Sequence, residues 1–152
     1  MGAGMMRIFI VDDEAPARDR LRMLLQDIAD QFPHRVAGEA DNPQAALDGI
    51  IATTPDVVLL DVQMPGMTGI ELATHIGKLP HPPAIVFVTA HDQYALKAFD
   101  LDAVDYLLKP VRATRLAETL QRVEKLRAHK PAVFPKPKIG RASCRERVLR
   151  LV

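Results

Sequence analysis

The stretch Leu59-Leu60-Asp61-Val62-Gln63-Met64-Pro65-Gly66-Met67-Thr68-Gly69 decides how this chain is read. The apolar run Val57-Val58-Leu59-Leu60 ends abruptly on a carboxylate. Four apolar residues before a charge read as a buried strand emerging at the end of a sheet. The residues beyond Asp61 cannot continue a strand, because Pro65 lacks a donor and Gly66 and Gly69 permit tight turning. Asp61 is therefore expected at a strand's carboxyl end, facing a loop, where open α/β sheets collect ligands and chemistry.

A single carboxylate there could be no more than a structural cap. Three other strand ends change the weighing. Ile8-Phe9-Ile10-Val11 ends in Asp12-Asp13-Glu14, Ala84-Ile85-Val86-Phe87-Val88 ends in Thr89-Ala90, and Val104-Asp105-Tyr106-Leu107-Leu108 ends in Lys109-Pro110. If these runs are neighbouring parallel strands, an acid pair, an aspartate, a threonine and a lysine converge on one edge.

Between the strands the sequence alternates regularly. Pro16 suits the first turn of a helix. Ala17, Leu21, Leu24, Leu25 and Ile28 come next at helical spacing, with Arg18, Arg20, Arg22 and Asp27 mostly on the opposite face, to about Gln31. A short second strand spans 35–40. Asn42 then caps and Pro43 opens a second helix, which Thr53-Thr54-Pro55 ends. The third strand covers about 56–60. Thr68 with Glu71 fits a capping box for a third helix, stopped at Gly77 and Pro80. The fourth strand covers 84–89, a short helix 94–99, the fifth strand 104–108 and a last amphipathic helix about 113–128. Arg112, where a capping side chain is usual, predicts a loose first turn for that helix. Five strand–helix alternations argue for a parallel sheet covered on both faces. The doubly wound order 2-1-3-4-5 puts strands 1 and 3 side by side, so Asp12, Asp13 and Asp61 should meet at the switch point.

The chain has 152 residues and a net charge of +1 that hides an asymmetry. Up to Ala128 there are 13 Lys+Arg against 18 Asp+Glu, and from His129 onward 7 against 1. Residues 6–128 thus read as one mildly acidic domain. Residues 129–140 read as a proline-rich basic linker. Residues 141–152 begin to resemble a strand and stop; they are either the start of a further domain or a cloning scar. The lone Cys144 excludes an internal disulfide. No apolar stretch is long enough to span a bilayer, and the amino terminus lacks a signal-peptide pattern, so a cytoplasmic protein with no membrane partner is expected.

The constellation Val11-Asp12-Asp13-Glu14, Asp61-x-x-Met64-Pro65-x-x-x-Gly69, Val88-Thr89-Ala90 and Asp105-Tyr106-Leu107-Leu108-Lys109-Pro110 resembles the receiver domain of two-component response regulators, a CheY-like, flavodoxin-like (βα)5 fold. The resemblance covers roughly residues 7–127. It implies that Asp61 accepts a phosphoryl group from a phosphohistidine on a sensor kinase. It implies Mg²⁺ ligated by Asp13, Asp61 and the Gln63 main-chain carbonyl, with Asp12 acting through water. Lys109 and the Thr89 hydroxyl would serve the phosphoryl oxygens, and Thr89 with Tyr106 would form the switch. The protein would then be a signalling receiver that catalyses only its own phosphoryl transfer and loss, not an enzyme acting on other substrates. The segments around Thr89–Phe99 and Asp105–Val111 look like receivers of the LytR/AlgR type, which carry a LytTR DNA-binding domain after a linker. Regulation of transcription through that output domain, and homodimers through the fourth helix, fifth strand and fifth helix, are the implied consequences.

The cluster also makes physical sense on its own terms. At about 4 Å and an effective dielectric near 20, each carboxylate pair costs on the order of 4 kcal/mol. A hard divalent cation is the natural counterweight. Other classes fit less well. An Asp-nucleophile phosphatase wants a second carboxylate two residues on, where Gln63 stands. A flavin-binding module wants a Ser/Thr/Gly phosphate loop, where Asp12-Asp13-Glu14 would repel phosphate. A stand-alone receiver that binds partners without DNA stays open. His91 reads as a loop histidine with a local hydrogen bond, or as a group tuning dephosphorylation.

Overall fold

The computed structural model describes residues 5–128. The expected linker 129–140 and the stretch 141–152 lie outside the described residues. Five strands alternate with five helices: β1 (Met6–Val11), α1 (Ala15–Asp27), β2 (His34–Ala40), α2 (Pro43–Thr53), β3 (Val57–Leu60), α3 (Gly69–Gly77), β4 (Ala84–Thr89), α4 (Ala95–Asp100), β5 (Asp105–Leu108) and α5 (Ala113–Ala128). All the strands are parallel and their order is β2-β1-β3-β4-β5, as expected from the sequence.

Both faces of the sheet are covered, which explains why the central strands read as continuous apolar runs rather than alternating ones. Ile8, Ile10, Leu59, Val86 and Val88 pack on one side with Leu21, Leu24 and Leu25 of α1 and Leu116, Leu120 and Val123 of α5. Phe9, Val11, Val58, Leu60 and Phe87 pack on the other with Ala46 and Ile50 of α2 and Leu72, Ala73 and Ile76 of α3. Phe9 takes the space that two missing side chains leave. A Cβ on Gly38 would lie 2.8 Å from its ring, and one on Gly49 would lie 2.5 Å away.

Register then places the strand ends. Val11 pairs with Leu60, Leu60 with Phe87, and Thr89 with Leu108. One residue further on, the chain reaches Asp12, Asp61 and Lys109 on the same edge. Backbone bonds carry the alignment past the strands: Asp12 N–H donates to Ala40 O at 3.1 Å, Asp61 N–H to Val11 O at 3.0 Å, and Lys109 N–H to Thr89 O at 2.9 Å.

The caps expected at α2 and α3 are present. Asn42 Oδ1 accepts from Ala45 N–H at 2.9 Å, with Pro43 opening the helix. At α3, Thr68 Oγ1 accepts from Glu71 N–H at 3.2 Å, and Glu71 Oε1 accepts from Thr68 N–H at 3.1 Å. Thr68→Ala removes one half of this reciprocal pair. It should lower the free energy of unfolding by about 1 kcal/mol, read as a lower urea midpoint at constant slope.

Beside one-residue shifts at the ends of β2, β3, α4 and β5, two helices differ from the sequence reading. The periodicity of α1 runs on to Gln31, but the regular helix ends at Asp27. Ile28 and Phe32 still face the core through a run of turns in which Phe32 N–H donates to Ile28 O at 2.8 Å. Side-chain burial keeps its period there while the backbone tightens. The first turn of α5, expected to be loose, is closed by a bond from Leu116 N–H to Arg112 O at 3.0 Å. The missing side-chain cap does not open it, because Leu116 is fully buried and anchors the turn from inside.

Candidate functional site

Asp12, Asp13 and Asp61 offer one carboxylate oxygen each within 4.8 Å of one another. They sit at the carboxyl ends of the adjacent strands β1 and β3. Asp12 is the deep member, only 1% exposed. One of its oxygens accepts from Lys109 Nζ at 2.8 Å and the other from Glu14 N–H at 2.9 Å. Asp61, 7% exposed, accepts from Gln63 N–H at 3.3 Å on Oδ1, and its Oδ2 lies 3.5 Å from Lys109 Nζ. Asp13 is the half-buried, outward member.

Asp12 and Asp61 share one ammonium, and the crowding is felt at Asp61. The Asp61 carboxyl is pushed above its ordinary value, first by burial and next by the charge of Asp12. Lys109, the Gln63 N–H and the Thr89 hydroxyl pull it back without cancelling the rise. Burial lowers Lys109, yet its bonds and charge contacts with Asp12 and Asp61 prevail, and its ammonium is held above the usual lysine value. Lys109 therefore stays charged beside the cluster.

An open cleft of about 520 Å³ lies over these groups, lined among others by Asp13, Asp61, Gln63, Thr89, His91 and Lys109. The donor set suits a hard divalent cation, since all the available atoms are oxygens and the local charge is net negative. Asp12 has both oxygens engaged by the protein, one by Lys109 and one by the Glu14 N–H. Asp13 and Asp61 face the cleft, beside the β3–α3 loop that carries Gln63.

Thr89 is fully buried, and its Oγ1 accepts from His91 N–H at 3.4 Å. Tyr106 is half-buried. Its ring tilts against Phe87 at 6.2 Å, and its hydroxyl donates to the His91 carbonyl. The histidine thus takes part through its main chain at two points. The site residues named from sequence lie at this one edge or in the loop beside it, except Tyr106, which stands inside β5 and reaches the β4–α4 loop through its hydroxyl.

Two features escaped the sequence. Gln63 Nε2 donates to Tyr94 Oη at 3.2 Å, joining the β3–α3 loop to the start of α4. Arg18, assigned by periodicity to the solvent face of α1, instead turns back. Its Nη1 donates to Asp12 O at 2.8 Å and its Nε to Glu39 Oε1 at 3.2 Å. Its position one turn past the acid pair was the only available signal, and helical periodicity reads that position as outward.

The doubly wound sheet with an acid cluster and a lysine at its switch point defines the class: a receiver domain of two-component signalling. The chain belongs to the response regulator receiver domain family, which residues 8–121 match. It is 46% identical over 122 residues to the sensory transduction protein LytT of Bacillus subtilis, covering 80% of this chain and 49% of that protein. It is 42% identical over 133 residues to the positive alginate biosynthesis regulatory protein of Pseudomonas aeruginosa, covering 87% and 52%. Among solved structures it resembles the response regulatory domain of MrkE from Klebsiella pneumoniae, with a TM-score of 0.71 and 32% identity over 79% of this chain and 96% of that one. The chain spans about half the length of the curated relatives it matches. No helix among the described residues is long and apolar enough to cross a membrane.

Proposed function

We propose that this chain is a phosphoacceptor switch that takes a phosphoryl group on Asp61 from a histidine of a sensor kinase, with Mg²⁺ held by Asp13, Asp61 and the Gln63 carbonyl and steered through water by Asp12. The observation that carries the reading is the position of Asp61. It is almost buried, it opens onto a cleft, and it stands beside an ammonium and two further carboxylates.

The chemistry is a displacement at phosphorus. An Asp61 oxygen attacks, the phosphorus–nitrogen bond to the donor imidazole breaks, and that nitrogen leaves with the bonding pair and takes up a proton. An acyl phosphate remains on Asp61. Such transfer asks the protein mainly for positioning and charge neutralisation. Mg²⁺ bound at the cluster supplies neutralisation on one side of the phosphoryl oxygens. Lys109 supplies it on the other, and the Thr89 hydroxyl, released from His91 N–H, donates to a product oxygen. The backbone bonds of Asp61 to β1 and of Lys109 to β4 hold the two groups in fixed relation.

The consequence is a shift of the β4–α4 loop. Thr89 and Tyr106 both bond to His91, so a Thr89 drawn toward phosphate unsettles the contact that holds Tyr106. Phosphorylation thereby biases a two-state element. The face formed by α4, β5 and α5 then receives the signal. Leu96 and Phe99 stand 81% and 76% exposed on α4, and Leu108 is exposed on β5. These residues support a homodimer or partner contact there. Relatives about twice as long support a DNA-binding output domain beyond the linker, and a cytoplasmic setting accords with that reading.

Incubation with Mg²⁺ and a small phosphodonor should add one phosphoryl mass, and chelation should abolish the addition. Borohydride reduction of the acyl phosphate should place homoserine at position 61. Label at any other residue removes Asp61 from this role. For the switch, Tyr106→Ala should leave phosphoryl uptake essentially unchanged. It should erase the phosphorylation-dependent change in hydrogen exchange over α4. Equal loss of both would count against the coupling.

A further inference from the structure

The three acids of the cluster are not held in the same way. Both oxygens of Asp12 have protein partners, and so do both oxygens of Asp61. The Asp13 carboxylate has no hydrogen-bond or ion-pair partner among the described residues. No polar partner therefore holds it, and its placement depends on its main chain and its rotamer. The carbonyl of Asp12 and the N–H of Asp13 belong to one rigid peptide plane. Whatever fixes that carbonyl fixes the position of Asp13 Cα, the atom from which its side chain departs.

Arg18 fixes it. Its guanidinium donates through Nη1 to the Asp12 carbonyl at 2.8 Å and through Nε to Glu39 Oε1 at 3.2 Å. One planar fork with two directed donors thus ties the end of β1 to α1 and to β2, a task that a single ammonium performs poorly. The side chain is mostly buried, at 19% exposure. Glu39 also takes Arg22, so the acceptor on β2 is held from two sides.

We propose that Arg18 is the positioning residue of the cation site: by clamping the Asp12–Asp13 peptide it keeps the otherwise unsupported Asp13 carboxylate aimed at Asp12 and Asp61. The inference rests on the Mg²⁺ reading of the cluster and deepens it. Charge and geometry make opposite demands on this residue, which makes the idea decidable. A guanidinium near a cation site repels the cation, so Coulomb's law alone says that removing Arg18 tightens Mg²⁺ binding. Positioning says that removal loosens it. The ion pair with Glu39 offsets much of the repulsion and lets the geometric effect dominate.

Mg²⁺ should be titrated calorimetrically, at fixed ionic strength, into the full chain and into four variants, with the Tm of each measured in chelator. Arg18→Gln should weaken Mg²⁺ binding about tenfold, the scale on which groups that orient metal ligands act. Arg18→Lys keeps the charge but not the fork, and should lose part of that; it carries the test if the glutamine variant does not fold. Arg22→Gln also loses the bond to Glu39 but does not touch the Asp12 carbonyl, so it should shift only the chelator Tm and leave Mg²⁺ affinity unchanged. Asp13→Asn should weaken binding in every case. Affinity in both Arg18 variants equal to or tighter than in the unsubstituted chain overturns the positioning role and leaves the Mg²⁺ reading standing. Absence of Mg²⁺ binding by the unsubstituted chain, or no effect of Asp13→Asn, overturns both.

Discussion

Replacing Asp61 with asparagine abolishes phosphoryl uptake and, in the same protein without metal, raises Tm. The first effect is complete because the amide has no anionic oxygen to attack phosphorus. The second has the opposite sign to the usual outcome of altering a buried, bonded residue. It comes from what the site demands of the apo fold. The folded-state proton affinity of Asp61 is raised, chiefly by burial and then by Asp12. A carboxyl with a raised folded pKa costs nothing below its unfolded value. It destabilises the fold increasingly as pH climbs through the folded value, because the folded state then gives up a proton it holds more tightly than the unfolded state does. Asparagine removes that slope. The gain should therefore be absent in acid and full near neutrality, read as a higher Tm of the variant in chelator. Mg²⁺ reverses the ranking. At about 100 times its dissociation constant, a cation that binds only the folded state adds about 2.7 kcal/mol, and the asparagine variant should forfeit most of this. Thermal scans at several pH values, with Mg²⁺ and with chelator, read all three effects. A variant no more stable than the original in chelator at neutral pH would show that the cluster is not under charge stress.

The stress at this edge was legible in the sequence because it is written where two patterns collide. Val57 to Leu60 and Ile8 to Val11 are apolar without alternation, which only a strand covered on both faces tolerates, and each stops on a carboxylate. Asn42-Pro43 and Thr68-x-x-Glu71 announce their helices through groups that bond locally, so they need no knowledge of the rest of the chain. Interactions between distant elements gave no such mark. Arg18 satisfies the helical period as an outward residue, yet it is drawn inward by a carbonyl six positions back and a carboxylate on another strand. Arg20, also read as outward, reaches the Val111 carbonyl at 3.4 Å. The bond between Gln63 and Tyr94 spans 31 positions and joins two loops, whose course no periodicity describes. Burial periodicity tells which side of an element faces the core. It does not tell where a long polar side chain bends to find its acceptor.

The loop after Asp61 supplies the second large effect. Gly66 and Gly69 look equivalent in sequence as turn formers, and the structure separates them. Gly66 has a φ of 90° and open space where a Cβ would stand, so its role is conformational. Gly66→Ala should cost about 1–2 kcal/mol of backbone strain and leave phosphoryl uptake nearly intact. Gly69 begins α3 and donates its N–H to Val62 O at 2.7 Å, which presses the helix start against the strand end. A Cβ there would meet Asp61 O at 2.1 Å and Val62 Cα at 2.8 Å. Both obstacles are main chain, so no side-chain rotation relieves the clash. Either α3 moves off or the peptide of Asp61 does. Gly69→Ala should therefore cost about 3 kcal/mol, the upper end for overpacking. It should also depress phosphoryl uptake beyond its loss of folded protein, since the displaced carbonyl belongs to the acceptor residue itself. Urea unfolding together with uptake normalised to the folded fraction tests both claims. If Gly69→Ala matched Gly66→Ala in both measurements, the close approach of α3 to the acceptor peptide would not be what holds Asp61 in place.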